Sequence, residues 1–112
     1  MHRATDEAFN AADLDGLVAL YESDACMVRV DGSVAEGSEA IRAEWAGLMA
    51  VGGRLASTTR YVIGSGDLAL LRGDFTFTSG DVAFGSTTAE VVRRQPDGTW
   101  LYVIDHPSGS AE

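Results

Sequence analysis

The 112 residues predict a single α+β domain. Two patterns carry that class. Apolar residues recur at helical spacing in the first half of the chain, and from Arg54 onward they recur with period two in four runs separated by turn residues. Helices first and a meander last is the order of an α+β domain, not of alternating β-α-β units. The length leaves room for one core, since domains cluster near roughly 100 to 150 residues, and the domain is read as spanning residues 1–112.

Residues 5–11 read as a short helix. Asp13 then offers an N-cap for a second one, with Leu14, Leu17, Val18 and Tyr21 at i, i+3, i+4 and i+7 as its buried face. Residues 26–30 form a β-type run, and Asp31 with Gly32 is a strong hairpin signal that returns the chain through residues 33–36. Ser38 is expected to cap a third helix, with Ile41, Trp45, Leu48 and Met49 on one face and Gly52 and Gly53 ending it. Strands follow near residues 54–63, 68–78, 84–94 and 100–106. Turn chemistry at residues 64–67 and 95–98 joins them.

Both faces of these strands carry apolar side chains: Leu68 and Leu70 on one face of their strand, Leu71, Phe75 and Phe77 on the other. A half-solvated sheet alternates more cleanly. One face is therefore expected to cover the helices and the other to meet a second copy in a two-fold homodimer.

Seventeen acidic residues against eight basic ones, all arginine, give a net charge of −9. That field repels phosphate backbones and anionic lipid, so neither nucleic acid nor membrane is expected as a partner. No apolar run approaches the roughly 20 residues of a membrane span. Met1, His2 and Arg3 lead into polar Thr5, Asp6 and Glu7 without the apolar segment of a signal peptide, which points to the cytoplasm. Cys26 is the single cysteine, so no internal disulfide forms, and its apolar neighbours make it a spectator thiol. With His2 and His106 as the only histidines, no multi-histidine metal site is expected. No dinucleotide, P-loop or nucleophile-elbow pattern is present, and no cofactor is expected.

Phe9 to Tyr21, followed by Ser23, Asp24 and Ala25, resembles the opening of the nuclear transport factor 2-like superfamily. That group includes ketosteroid isomerases, SnoaL-like polyketide cyclases and the association domain of calmodulin-dependent kinase. Gly37 to Arg42 resembles its second signature. Arg93 to Trp100, leading into Tyr102 to Asp105, is similar to the bacterial SgcJ/EcaC-like branch. The resemblance implies a cystatin-like fold, a curved antiparallel sheet wrapped around N-terminal helices to leave a cone-shaped pocket. It constrains function poorly, because one fold of this kind hosts many chemistries. Carried over residue by residue, the isomerase base falls at or near Arg29, its tyrosine at Thr5 and its second acid at Glu90, and only Glu90 keeps the chemistry. Asp31 shares the face of Arg29 but belongs to the hairpin turn.

Strand alternation groups Glu90 with Val92, Asp105 with Leu101 and Val103, and Arg72 and Asp74 with Leu70 and Thr76. The resemblance implies that these three sets face the pocket. A carboxyl in an apolar cavity has its charged form disfavoured and becomes an acid or base near neutrality. Asp105 and Glu90 are thus the candidate catalytic pair, with Arg72 to orient them or stabilise negative charge. Asp74, Trp45, Tyr21 and Tyr61 are candidate contacts to a small apolar or aromatic ligand. The same residues also fit structural ion pairs through Arg60 and Arg72, and plain aromatic core. His106, one residue from Asp105, points to the opposite face and is read as the only histidine within the folded region. Three readings stay open: a cofactor-free isomerase, cyclase or dehydratase acting on a small apolar carbonyl compound, a non-catalytic ligand-binding or dimerisation module, and an association domain.

Overall fold

The computed structural model describes residues 1–108. Its elements run α1 (His2–Asn10), α2 (Leu14–Val18), β1 (Tyr21–Val28), β2 (Val34–Glu36), α3 (Gly37–Val51), β3 (Arg54–Ser65), β4 (Leu68–Ser79), β5 (Val82–Arg94) and β6 (Trp100–His106). The strands form one six-stranded sheet in the order β2-β1-β6-β5-β4-β3. All neighbours pair antiparallel except β1 and β6, which run parallel. The α+β class and the helix-first order stand as expected.

The sheet's inner face buries Leu55, Ala69, Leu71, Phe77, Val92 and Tyr102. Phe9 of α1 sets its ring 6.0 Å from Phe77 and 5.7 Å from Trp45 of α3, so both long helices meet the sheet through aromatic edges. Gly53 permits this. A Cβ there would stand 2.5 Å from Phe77 Cζ and 2.6 Å from the Thr78 carbonyl oxygen.

β3 is an edge strand, and its free backbone groups need partners. α1 supplies them. Asn10 donates to the Leu55 carbonyl at 2.8 Å and accepts from the Leu55 N–H at 2.9 Å. Asp6 accepts from both the N–H and the hydroxyl of Ser57, each at 2.7 Å. One turn earlier, His2 Nδ1 lies 2.7 Å from Thr59 Oγ1. Four residues of helix rise about 6.0 Å and two residues of strand about 6.6 Å, so His2, Asp6 and Asn10 meet Thr59, Ser57 and Leu55 in register.

Several boundaries differ from the sequence reading, each for a tertiary reason. α1 begins at His2, three residues earlier than expected, because this ladder and the buried seats of His2, Thr5 and Phe9 hold its first turn. α2 is only five residues long, and Tyr21 opens β1 instead of closing a helix. The Leu20 carbonyl already accepts from the Tyr102 N–H at 2.8 Å, so sheet pairing captures the chain there. β1 stops at Val28, since the Arg29 and Ser33 backbones close the hairpin, and Val30 is exposed. Ser38 caps nothing: β2 runs straight into α3 at Gly37, and the Ser38 hydroxyl turns back to the Ser23 carbonyl at 3.5 Å. β5 begins at Val82, after a tight turn with Gly80 at φ +59.

Removing a rung exposes the importance of the ladder. Asp6→Ala is expected to cost about 1–3 kcal/mol, because the Ser57 N–H loses its partner. Urea denaturation of the purified protein measures it. A loss below about 0.5 kcal/mol would mean that water serves the edge equally well.

Candidate functional site

Between α3, the end of β1 and the inner face of the sheet lies a cavity of about 560 Å³. That volume falls within the roughly 300–1,000 Å³ of small-molecule sites. Its walls are apolar, with Trp45 and Leu48 from α3, Met27 from β1, Leu55 from β3 and Phe75 and Phe84 from β4 and β5. Ile41 is the one fully buried residue of α3, while Trp45 and Leu48 stay half-buried because they face open space.

Asp105 and Glu90 share the polar part of this cavity. They are direct partners across β6 and β5, and each is 5 % exposed. Tyr21 donates its hydroxyl to Asp105 Oδ2 at 2.5 Å and accepts from Trp45 Nε1 at 3.1 Å. Glu90 Oε1 takes two partners, His2 Nε2 at 2.9 Å and the Thr88 hydroxyl at 3.1 Å. Asp105 Oδ1 and Glu90 Oε2 receive no bond from the described residues. Since no buried side-chain polar atom there lacks a partner, these two oxygens open onto the cavity. Nearby, the Thr5 and Tyr102 hydroxyls are 2.8 Å apart.

Burial pushes the Asp105 carboxyl up to about 7, and the adjacent Glu90 charge adds to the rise, against the Tyr21 hydrogen bond and the His2 charge. Burial likewise raises Tyr21 well above the ordinary tyrosine range, with Asp105 contributing, so Tyr21 remains a hydrogen-bond donor. Tyr102 is raised for the same leading reason.

The structure sorts the residues singled out in the sequence. Asp105, Glu90, Trp45 and Asp74 border the cavity, and so do Thr5 and Arg29. The Asp74 carboxylate, however, accepts from Arg60 Nε at 2.7 Å and from the Thr87 hydroxyl at 2.9 Å, both outside the acid pair. Tyr21 lies behind Asp105 and holds it instead of lining the wall. Arg72 does not join the acids: it sits between buried Leu71 and Gly73, leaves from the other face of β4, and donates to the Thr88 carbonyl at 2.8 Å. Tyr61, 47 % exposed, is its cross-strand partner and shares that outer face. The expected grouping of Asp105 with Leu101 and Val103 also changes. A register shift between Val91 and Val92 lets β6 bulge, so Asp105 and Tyr102 are the buried pair although three positions apart.

His2 is the residue that sequence reasoning missed. It is 6 % exposed and lines the cavity, whereas His106 was read as the only histidine in the fold. The available signal was the spacing of His2, Asp6 and Asn10, a polar row on one helix face. Arg29 donates to Glu44 Oε2 at 3.0 Å, both at the cavity wall. Among the described residues, no group of three or more His, Cys, Asp or Glu is arranged to hold a metal ion. No helix there is long and apolar enough to cross a membrane.

Asp105 imposes a pH dependence on stability. An unfolded chain releases this proton near the ordinary carboxyl value of about 4, and the folded chain near 7. Across that window the native state holds a proton that the unfolded state has lost, so stability falls as pH rises and levels off above 7. Asp105→Asn should therefore stabilise the protein by roughly 2–4 kcal/mol at pH 8 and by much less at pH 4. Denaturation at both pH values checks this; equal effects would mean that the carboxyl titrates normally.

The chain matches the model of the SnoaL-like domain family over residues 2–106. Among curated proteins no match was found. An NTF2-like protein of unknown function from Shewanella oneidensis MR-1 superposes with a TM-score of 0.82 at 19% identity, over 93% of this chain and 89% of that one. A domain with a cystatin-like fold from Nostoc punctiforme PCC 73102 gives 0.83 at 19%, over 99% and 74%. A ketosteroid isomerase-like protein from Erwinia carotovora atroseptica SCRI1043 gives 0.77 at 22%, over 98% and 91%. Identities this low establish a shared fold and leave activity to the site. With the family match spanning every helix and strand, the chain belongs to the SnoaL-like domain family of NTF2-like proteins.

Proposed function

We propose that the cavity carries out cofactor-free acid/base chemistry on a small, neutral, mostly apolar carbonyl compound, as an isomerase, cyclase or dehydratase does. One observation carries the reading: two buried carboxyls paired across β5 and β6, each with one oxygen held by the protein and the other open to the cavity. Glu90 Oε2 is the base that takes a proton from the carbon next to the carbonyl. Asp105, still protonated near neutrality, donates from Oδ1 to the carbonyl oxygen. The product of that step is an enol; where a neighbouring C=C makes it a dienol, Glu90 gives its proton to the far carbon while the enol O–H proton goes back to Asp105 Oδ1, which yields an isomer and restores both carboxyls. Tyr21, itself held by Trp45, fixes Asp105 through its other oxygen.

The cavity's charge supports a neutral substrate. Glu44 is paired with Arg29, Asp74 with Arg60 and Glu90 with His2, so the guanidinium at the wall is already engaged. The likeness to the ketosteroid isomerase-like protein of Erwinia agrees with carbonyl chemistry in such a cavity.

Hydrogen–deuterium exchange next to the carbonyl, followed by NMR in D₂O over a panel of neutral cyclic and aryl ketones, tests the reading directly. General acid/base groups contribute roughly 10²- to 10⁴-fold, so Asp105→Asn and Glu90→Gln should each slow an observed exchange by about 100-fold or more. Exchange at the wild-type rate in both variants removes the assignment. Ketones that bind but never exchange would favour a binding module.

The outer face of the sheet is assigned, in the same proposal, to a second copy of the chain. Ile63, Leu70, Val91 and Ile104 are successive cross-strand partners and form one apolar row over β3, β4, β5 and β6. Three of them are at least 36 % exposed. A row this continuous is costly to leave in water. Sedimentation should show a dimer that Leu70→Arg converts to a folded monomer; a monomeric wild type refutes the pairing.

A further inference from the structure

We propose that His2 is the positioning residue of the acid pair, the donor that aims the Glu90 carboxyl so that Oε1 is held and Oε2 is presented to the substrate. This rests on the acid/base reading above and deepens it by assigning the base's orientation to α1.

The geometry supports one fixed placement of the ring. Nε2 is 2.9 Å from Glu90 Oε1 and Nδ1 is 2.7 Å from Thr59 Oγ1, so both nitrogens are committed. When the Thr59 hydroxyl donates to Nδ1, the ring's proton is left on Nε2, facing Glu90. Gly73 makes room: a Cβ there would stand 2.7 Å from His2 Cε1 and 3.1 Å from Nδ1. The ring thus sits against the one inner-face position of β4 that has no side chain. A glutamate has three side-chain torsions, and strand β5 fixes none beyond the first. Thr88, two residues away on the same strand, adds a second bond to the same oxygen. His2 is the contact that reaches Glu90 from the helix layer.

Tyr21 from β1 binds Asp105, with Trp45 of α3 behind it, and the Tyr102 hydroxyl pairs with Thr5 nearby. Glu90 takes its bonds from Thr88 of its own strand and from His2. Asp105 is therefore held from β1, and among the described residues α1 supplies the one bond that reaches Glu90 from outside its own strand.

Two measurements test this, and the first needs no substrate. In a crystal structure of His2→Phe, which fills the seat without a donor, the Glu90 carboxyl is expected to leave its present rotamer. An unchanged Glu90 side chain overturns the proposal. The second uses any ketone that exchanges with wild type. His2→Phe should lower the saturated exchange rate roughly 10- to 100-fold, the scale of a misplaced catalytic group, with the half-saturating ketone concentration changed by less than about threefold. His2→Gln, which restores an N–H donor, should recover most of the rate. A folded His2→Phe protein that exchanges at the wild-type rate overturns the proposal. If no ketone exchanges even in wild type, the acid/base reading fails by itself, and the Glu90 rotamer still decides whether His2 aims that side chain.

Discussion

Edge strand β3 needs hydrogen-bond partners that no seventh strand supplies, and α1 meets that need with side chains set at its own pitch. The near match between four residues of helix and two of strand lets Asn10, Asp6 and His2 step along Leu55, Ser57 and Thr59 without distorting either element. Once α1 is fixed this way, the adjoining strip of its surface is fixed as well. Phe9 is driven onto Phe77 and Trp45, Thr5 onto Tyr102, and the cavity gains its wall on the α1 side. A helix of nine residues has little stability of its own, so the ladder and the aromatic contacts form it together with the site.

The second constraint is the carboxyl pair. Two acids set directly opposite on neighbouring strands repel when both are ionised, and burial strengthens the repulsion. The structure answers with unequal holds. Asp105 keeps its proton to about pH 7, while Glu90 takes two hydrogen bonds on a single oxygen. The result is a site that lowers the stability of the fold in the neutral range, an arrangement natural selection tolerates where a strained group has work to do. The bulge in β6 serves the same end, because it brings both Tyr102 and Asp105 to the inner face.

Much of the fold was legible because its signals are local. The hairpin at Asp31 and Gly32, the helix stop at Gly52 and the four long strands each rest on turn chemistry or period-two patterning. Glu90 and Asp105 were legible as polar residues in otherwise apolar strands. What failed depended on long-range choices. Alternation tells which residues share a face and not which face is inside, so Arg72 was grouped with the acids although Leu71 and Gly73 are the buried neighbours. A bulge shifts parity without a sequence mark, as Tyr102 and Asp105 show. Tyr21 had helical spacing but was captured by β6, and Ser38 had cap chemistry but no loop in which to use it. His2 was invisible as a site residue because its partners, Thr59 and Glu90, lie 57 and 88 positions away.

The proposed acid/base reading rests on the asymmetry of the two holds, which sets this pair apart from a structural ion pair. An ion-pair network built for stability joins an acid to a cation and leaves no oxygen free, as Asp74 does with Arg60 and Thr87. Here the partners are a tyrosine from β1 for one acid and a histidine from α1 with a threonine from β5 for the other, and each carboxyl retains one oxygen facing the cavity. In the proposed reaction the carboxyl that burial keeps protonated, Asp105, is suited to serve as the acid. The apolar walls then matter chemically as well as sterically, since excluding water sustains the raised titration of Asp105 and strengthens any hydrogen bond made to a carbonyl placed beside it. Filling the cavity with side chains would close the space onto which those two oxygens open, and with it the room for the proposed reaction.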